Sequence, residues 1–349
     1  MEPFQFVTVK ANTPGLRGMQ YGEQAKAKIR AGIESYREYF EKTGDRNWAQ
    51  IKEHAMAYIP LIEEAMPEIL EEAKGIAKGA GIEFSELMVL NCRYEITKFP
   101  KTKECTTAAI LPEAAGDKTY LVKNWDYRKA IQGNIVIVHI EQEDGTRIMG
   151  LAEAGQMLRE GFNSHGVGLC NNMIQSVHDT RGVGIPVTFL RRRVLASKSF
   201  EEAKTLLATS KRSVSNNMML VSGNGRAIDL EAYPGGVDFI EPKGGIVTHA
   251  NHFVVHPELD ALPSPKNRDT RLSYLLRRQL GSIDVEFIKE CLKDHEYYPL
   301  SICAHNVDDA KAGLREIMTV ASIIIDFQAG IAHICAGPPC RGEYIAYPL

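Results

Sequence analysis

The sequence predicts an α+β protein, with helices and strands gathered in separate stretches of the chain. Three observations lead there. Roughly the first hundred residues place apolar side chains at helical spacing. From Cys105 the character changes to short runs of small, β-branched and apolar residues separated by turn signals. Helical stretches then return only between groups of strands. Runs this close in sequence pair as hairpins, so mostly antiparallel sheets are expected. Two sheets with helices outside suit this order, and a doubly wound parallel sheet does not.

The elements follow in order. Gly22 to Glu41 is rich in Ala, Lys, Glu and Arg, all good helix formers. From Leu61 to Lys78 the residues Leu61, Ile62, Ala65, Met66, Ile69, Leu70, Ala73 and Ile76 repeat at helical spacing. Pro67 predicts a kink or a fresh helix start within that run, and Gly79 and Gly81 end it. Ser85 reads as the N-cap of a helix through Leu87, Val89, Leu90 and Tyr94 that stops before Pro100. Strand-like runs come next at Cys105–Leu111, Thr119–Lys123, Ile135–Glu141 and Arg147–Ala152, with Asp144-Gly145 as a hairpin turn. Gly161–Val167 reads as a turn and Val167–Asn172 as a strand. Ile185–Ala208 is helical, with Ser199 capping its second half. Met218–Ser222 and Arg226–Glu231 flank the turn Gly223-Asn224-Gly225, and Ile246–His249 is a further strand. Arg268–Leu280 and Val285–Lys293 are expected helices, and Thr319–Phe327 and Gly330–Cys335 closing strands.

With 349 residues, 44% hydrophobic and 24% charged, the chain has the composition of an ordinary globular protein with ample material for a core. Its net charge of −3 supplies no bulk positive field, so nucleic acid is not an expected partner. The short basic run Arg191-Arg192-Arg193 reads as a solvated helix face. No apolar run is long enough for a membrane span, and Met1 to Lys10 lacks a signal-peptide core, which points to a cytoplasmic protein. The seven cysteines are odd in number, scattered, and form no Cys-x-x-Cys pair, so neither a disulfide framework nor a zinc site is expected.

Cys105 stands at the sharpest compositional break, after the charged stretch Lys101–Glu104. A free cysteine is most often a small buried hydrophobe. A chain cut before Cys105 would instead present a nucleophile and a base on one residue, its thiol and its own α-amine. Such an amine, with a pKa of about 7.7–8.0, is partly free base near neutrality. Other polar groups fall at strand ends. Asp126 and Asn124 in Lys123-Asn124-Trp125-Asp126-Tyr127 could orient an amine, although both residue types also favour turns. Asn251, in His249-Ala250-Asn251-His252, is a candidate oxyanion donor. The two histidines of that tetrapeptide point to opposite faces of a strand, which argues against a metal.

Taken in order, Cys105-Thr106-Thr107-Ala108, Asn124-Trp125-Asp126, Glu153-Ala154-Gly155, Gly161-Phe162-Asn163-Ser164, Gly223-Asn224-Gly225, Leu230-Glu231, Thr248 with Asn251-His252, and Tyr298-Pro299-Leu300-Ser301-Ile302-Cys303 resemble the isopenicillin N acyltransferase family of N-terminal-nucleophile hydrolases. The resemblance covers nearly the whole chain. It implies a four-layer αββα sandwich that cleaves itself between Glu104 and Cys105. Residues 1–104 would then be a helical fragment that stays associated, and 105–349 the catalytic region. Cys105 would be the nucleophile, Asp126 the acid that orients its amine and thiol, and Asn251 the oxyanion-hole side chain. Asn172 falls where relatives place a polar residue near the reacting carbonyl, and Lys123 where related bile-salt hydrolases often have Arg. Two positions depart from the family. Glu104 stands where the fungal penicillin acyltransferase has Gly, and Ala304 stands where relatives read Ser-Ile-Cys-Arg-His, leaving Lys123 or His305 to replace that Arg.

The implied activity is amide-bond acyl transfer without a cofactor, on a small acyl-amide substrate. Water as acceptor makes the protein an amidohydrolase, and an amine acceptor makes it an acyltransferase. An uncleaved small-molecule-binding protein on the same fold and a cysteine hydrolase using His249 or His252 as base are the competing readings. A homo-oligomer is compatible with the sequence.

Overall fold

The period-2 alternation of the later strands decides the architecture, because it gives each sheet two apolar faces to cover. The chain is seen here in a computed structural model that describes residues 1–43, 46–96, 105–179, 182–261, 266–306 and 317–349. One sheet has eight strands in the order β1 (Gln5–Lys10), β4 (Ile135–Glu141), β5 (Arg147–Glu153), β6 (Glu160–Asn163), β7 (Val167–Asn172), β8 (Asn216–Ser222), β9 (Arg226–Tyr233) and β10 (Gly236–Ile240). The other has six, in the order β11 (Ile246–His249), β2 (Cys105–Ile110), β3 (Tyr120–Arg128), β12 (Ile317–Asp326), β13 (Ile331–Ala336) and β14 (Tyr344–Pro348). Every pairing is antiparallel except β1 with β4.

Alternate residues separate cleanly into layers. Cys105, Ala109, Leu121, Trp125, Ile323 and Ile325 of the six-stranded sheet meet Ile137, Met149, Leu151, Phe162, Cys170 and Met219 of the eight-stranded sheet in a central core. Ala108, Ile110, Val122 and Ile324 face outward onto α11 (Arg268–Leu276) and α12 (Val285–Leu292), beside the short α8 (Pro112–Ala115). Val136, Val138, Leu169 and Leu220 face the opposite way. They pack under α1 (Pro14–Gln24), α2 (Lys26–Thr43), α3 (Trp48–Met56), α4 (Ile59–Ala65), α5 (Pro67–Ala80), α6 (Phe84–Asn91), α7 (Arg93–Ile96), α9 (Val187–Val194) and α10 (Phe200–Thr209). The result is the αββα sandwich. Among the described residues no helix is long and apolar enough to cross a membrane.

The N-terminal helices are fixed by unusually close packing. A Cβ at Gly18, Gly22, Gly75 or Gly79 would overlap the backbone of the facing helix, at Glu72 O, Ile76 O, Gly15 O and Met19 O respectively. The glycines of α1 and α5 therefore let two helix backbones touch.

Several local expectations need correction. A fresh helix does start at Pro67, as α5. The N-cap of α6 is Glu83, in a capping box with Glu86, so Ser85 sits inside the helix. Gly161–Val167 is not all turn, because Glu160–Asn163 pairs with β5. Strands β1, β10 and β14 were not legible as runs. Arg191 and Arg192 are buried, at 0% and 1% exposure, so the basic run is not a solvated face. Arg192 forms a two-pronged bond with Glu72 at 2.8 and 2.7 Å, fastening α9 to α5.

Candidate active site

Cys105 opens β2 between β11 and β3, and its side chain is in the central core with 6% exposure. Its backbone N–H donates to Asn251 Oδ1 at 2.5 Å, and its thiol points to the carbonyl oxygen of Asp126 at 3.8 Å. The loop after β11 thus brings Asn251 back over the start of β2. Burial pushes the Cys105 thiol above its ordinary pKa; Lys123 opposes this and Asp126 adds to it. A thiol held neutral in this way needs a base to become a nucleophile. Glu104 lies outside the described residues.

The orientation of Asn251 follows from its partners. Its oxygen accepts from Cys105 and from Arg268 Nη2 at 2.9 Å, while Nδ2 donates to Met173 O at 2.7 Å. Arg268, 1% exposed, was missed from sequence. The available signal was a cation in the first turn of α11, where the helix dipole disfavours it. Asn172 Nδ2 reaches Thr107 Oγ1 at 2.8 Å and Asn217 Oδ1 at 2.9 Å, joining β7 to β2 behind the nucleophile.

Asp126 is held on the far side of β3. Thr319 Oγ1 donates to its Oδ1 at 2.6 Å and accepts from the Ala304 backbone N–H at 2.9 Å. Ala304 therefore supports Asp126 through its backbone. Lys123 bonds Glu160 Oε2 at 2.9 Å, both side chains being fully buried. Arg159 lies 3.8 Å from the same oxygen and stacks 4.1 Å over Trp125, the residue paired with Cys105.

Behind these residues lies a buried cationic cluster. Arg93, Arg128, Arg159 and Arg191 share it with Glu153 and Glu95. Burial pushes Glu95 up to about 7. Arg191 Nε and Nη1 have no hydrogen-bond partner among the described residues, and burial with Arg159 nearby lowers Arg191 to about 10.

The histidines are placed elsewhere. His249 has both ring nitrogens committed, Nε2 to Glu231 at 2.8 Å and Nδ1 to Ala250 O at 2.9 Å. Burial alone would lower its pKa, but Asp229 and Glu231 raise it to about 9, so it is a charged structural residue and not a free base. His252 stacks on it, with ring centroids 5.9 Å apart. His305 contacts His295, Cys303 and Cys340. The geometry brings Asn251 and the main-chain carbonyl of Asp126 onto Cys105, holds the Asp126 carboxylate on Thr319 and Asn172 on Thr107, pairs Lys123 with Glu160, and gives His305 other neighbours.

Two facing sheets between helical layers, with a cysteine opening an inner strand, define an N-terminal-nucleophile hydrolase fold. The same fold is seen in a crystal structure of a mutant conjugated bile acid hydrolase from Clostridium perfringens, with a TM-score of 0.52 and 14% identity over 70% of this chain and 92% of that one. A second variant of that hydrolase gives a TM-score of 0.50, also at 14% identity, over 70% and 97%. Residues 114–341 match the acyl-coenzyme A:6-aminopenicillanic acid acyl-transferase family, and the chain belongs to it. Over 336 residues it is 27% identical to the acyl-coenzyme A:6-aminopenicillanic-acid-acyltransferase 40 kDa form of Emericella nidulans, spanning 94% of this chain and 91% of the relative.

Proposed function

We propose that this chain is a cysteine amidohydrolase that matures by cutting itself between Glu104 and Cys105. The carrying observation is the pair of contacts at Cys105, its N–H on Asn251 and its thiol on Asp126 O. In maturation, Sγ attacks the Glu104 carbonyl carbon and the thiol proton passes to the departing Cys105 nitrogen. The peptide bond becomes a thioester, which frees the Cys105 α-amine, and water then hydrolyses that thioester to a Glu104 carboxylate and the free Cys105 thiol. That amine is the base which the buried thiol requires. Its place is already marked by the bond from Cys105 N to Asn251, with Asp126 anchored nearby by Thr319.

Turnover repeats the same chemistry on a small acylated amide. The amine takes the thiol proton, Sγ adds to the amide carbon, and the proton is passed to the leaving nitrogen. The Asn251 Nδ2 hydrogen not used on Met173 O, together with a backbone N–H, stabilises the oxyanion, a contribution of about 2.7–4 kcal/mol. Water then resolves the thioester, and no cofactor enters the scheme. Residues 1–104 stay bound, because β1 pairs with β4 and the helices cover the eight-stranded sheet. The second reading, transfer of the acyl group to an amine, is favoured by the named activity of the Emericella nidulans relative. The two share every step up to the thioester.

The test is a panel of N-acyl amides with and without carboxylates, with hydroxylamine as the trap. Wild type should release amine and yield hydroxamate, and Cys105→Ala neither. An added amine that diverts product from acid to a new amide selects acyl transfer. Equal turnover by Cys105→Ala overturns the thioester scheme.

A further inference from the structure

Away from Cys105, His295, Cys303, His305 and Cys340 converge so that one ligand atom from each lies within 4.8 Å of all the others. His305 Nε2 is 3.0 Å from His295 Nε2, 3.5 Å from Cys303 Sγ and 3.4 Å from Cys340 Sγ. An imidazole nitrogen has a single direction in which to donate or accept, so it cannot serve three partners by hydrogen bonding. One cation shared by all four atoms removes the conflict. Zinc bonds of about 2.3 Å to sulfur and 2.0–2.1 Å to nitrogen place tetrahedral ligands about 3.3–3.8 Å apart, close to the three distances from His305 and reached by small rotations of the other side chains.

We propose that these residues form a structural Cys2His2 site for zinc. Two thiolates and two imidazoles select a borderline-soft, tetrahedral divalent ion over magnesium or calcium. Four protein ligands leave no open position, so the metal is structural and stays outside the acyl-transfer chemistry. Cys303 and His305 are buried, whereas His295 and Cys340 face solvent and give the ion a path in. The loop is already shaped for it, since Cys303 N–H donates to Asp294 O at 3.0 Å and His305 N–H to Pro299 O at 3.1 Å. The ion ties this loop to the turn after β13. Between the two buried ligands lies Ala304, whose N–H supports Thr319 and, through it, Asp126. The metal thereby steadies the segment that positions the proposed acid.

The full-length reduced protein tests this with elemental analysis and with cobalt(II) as an optical probe. About one zinc per chain is expected as isolated. Cobalt(II) added to the stripped protein should give intense tetrahedral bands with thiolate charge transfer. Cys303→Ser with Cys340→Ser should abolish the charge transfer, and the exposed His295→Ala should weaken cobalt binding at least tenfold while leaving the fold intact by circular dichroism. Absence of both zinc and the cobalt–thiolate band in folded wild type overturns the proposal. So does a Cys303–Cys340 cross-link in metal-free protein isolated without reductant.

Discussion

Replacing Lys123 by Met tests the interior of the site. Lys123 and Glu160 are both 0% exposed and 2.9 Å apart. Removing one partner of such a pair typically costs about 3–5 kcal/mol, because the other charge stays buried. Arg159, 3.8 Å from Glu160 Oε2, keeps part of the compensation and places the loss near the low end of that range. Urea unfolding of Lys123→Met should show it, and the double variant with Glu160→Gln should recover most of it. The same change has a second readout. Lys123 opposes the upward push of burial on the Cys105 thiol, so its loss should move the pH profile of Cys105 alkylation to higher pH. A loss below about 1 kcal/mol with an unmoved alkylation profile would refute a dry, charge-paired wall beside the nucleophile.

Three further outcomes are expected. Gly75→Ala forces a Cβ into Gly15 O, so it should destabilise by about 1–3 kcal/mol in chemical unfolding, more than an exposed-glycine control such as Gly133→Ala, whose Cβ would meet open space. His249 is raised to about 9 against burial by Asp229 and Glu231. Its stabilising contribution is full below its ordinary value of about 6.5 and is lost as pH rises through about 9, and His249→Gln should flatten that stretch of the stability profile. Arg268→Met removes a charged hydrogen bond to Asn251, worth about 1.5–3 kcal/mol, and single-turnover acylation should slow by roughly 10–150-fold with substrate binding little changed.

What could be read from the chain was what depends on period and local turn chemistry. Leu121 and Trp125 alternate with Tyr120 and Val122, and that alternation already assigns two faces to β3. Pro67 announced the start of α5 because a proline fits a first helical turn. Strands β1, β10 and β14 escaped because they lie at or beside sheet edges, where exposure breaks the apolar pattern. At the site, the contact of Asn251 with Cys105 comes from a segment just after a strand, as its motif suggested, whereas Asp126, read as following a strand, lies inside β3. Arg268 was not legible, since 163 positions separate it from Cys105 and only the fold brings its helix to Asn251. Arg191 was misread for a related reason: composition marks charge as solvent-facing, yet here helices close over a cluster of ions. The His295, Cys303, His305 and Cys340 group likewise has no compact spacing, because its fourth member arrives from beyond two strands.

The account rests on the bond before Cys105, and intact mass with N-terminal sequencing examines it directly. Freshly purified wild type should give two chains that co-elute under native conditions, the heavier one beginning Cys105-Thr106-Thr107, whereas Cys105→Ala should remain a single chain of full mass. A wild type that stays uncut, and whose Cys105 no thiol-directed amide probe labels, would contradict the proposed mechanism.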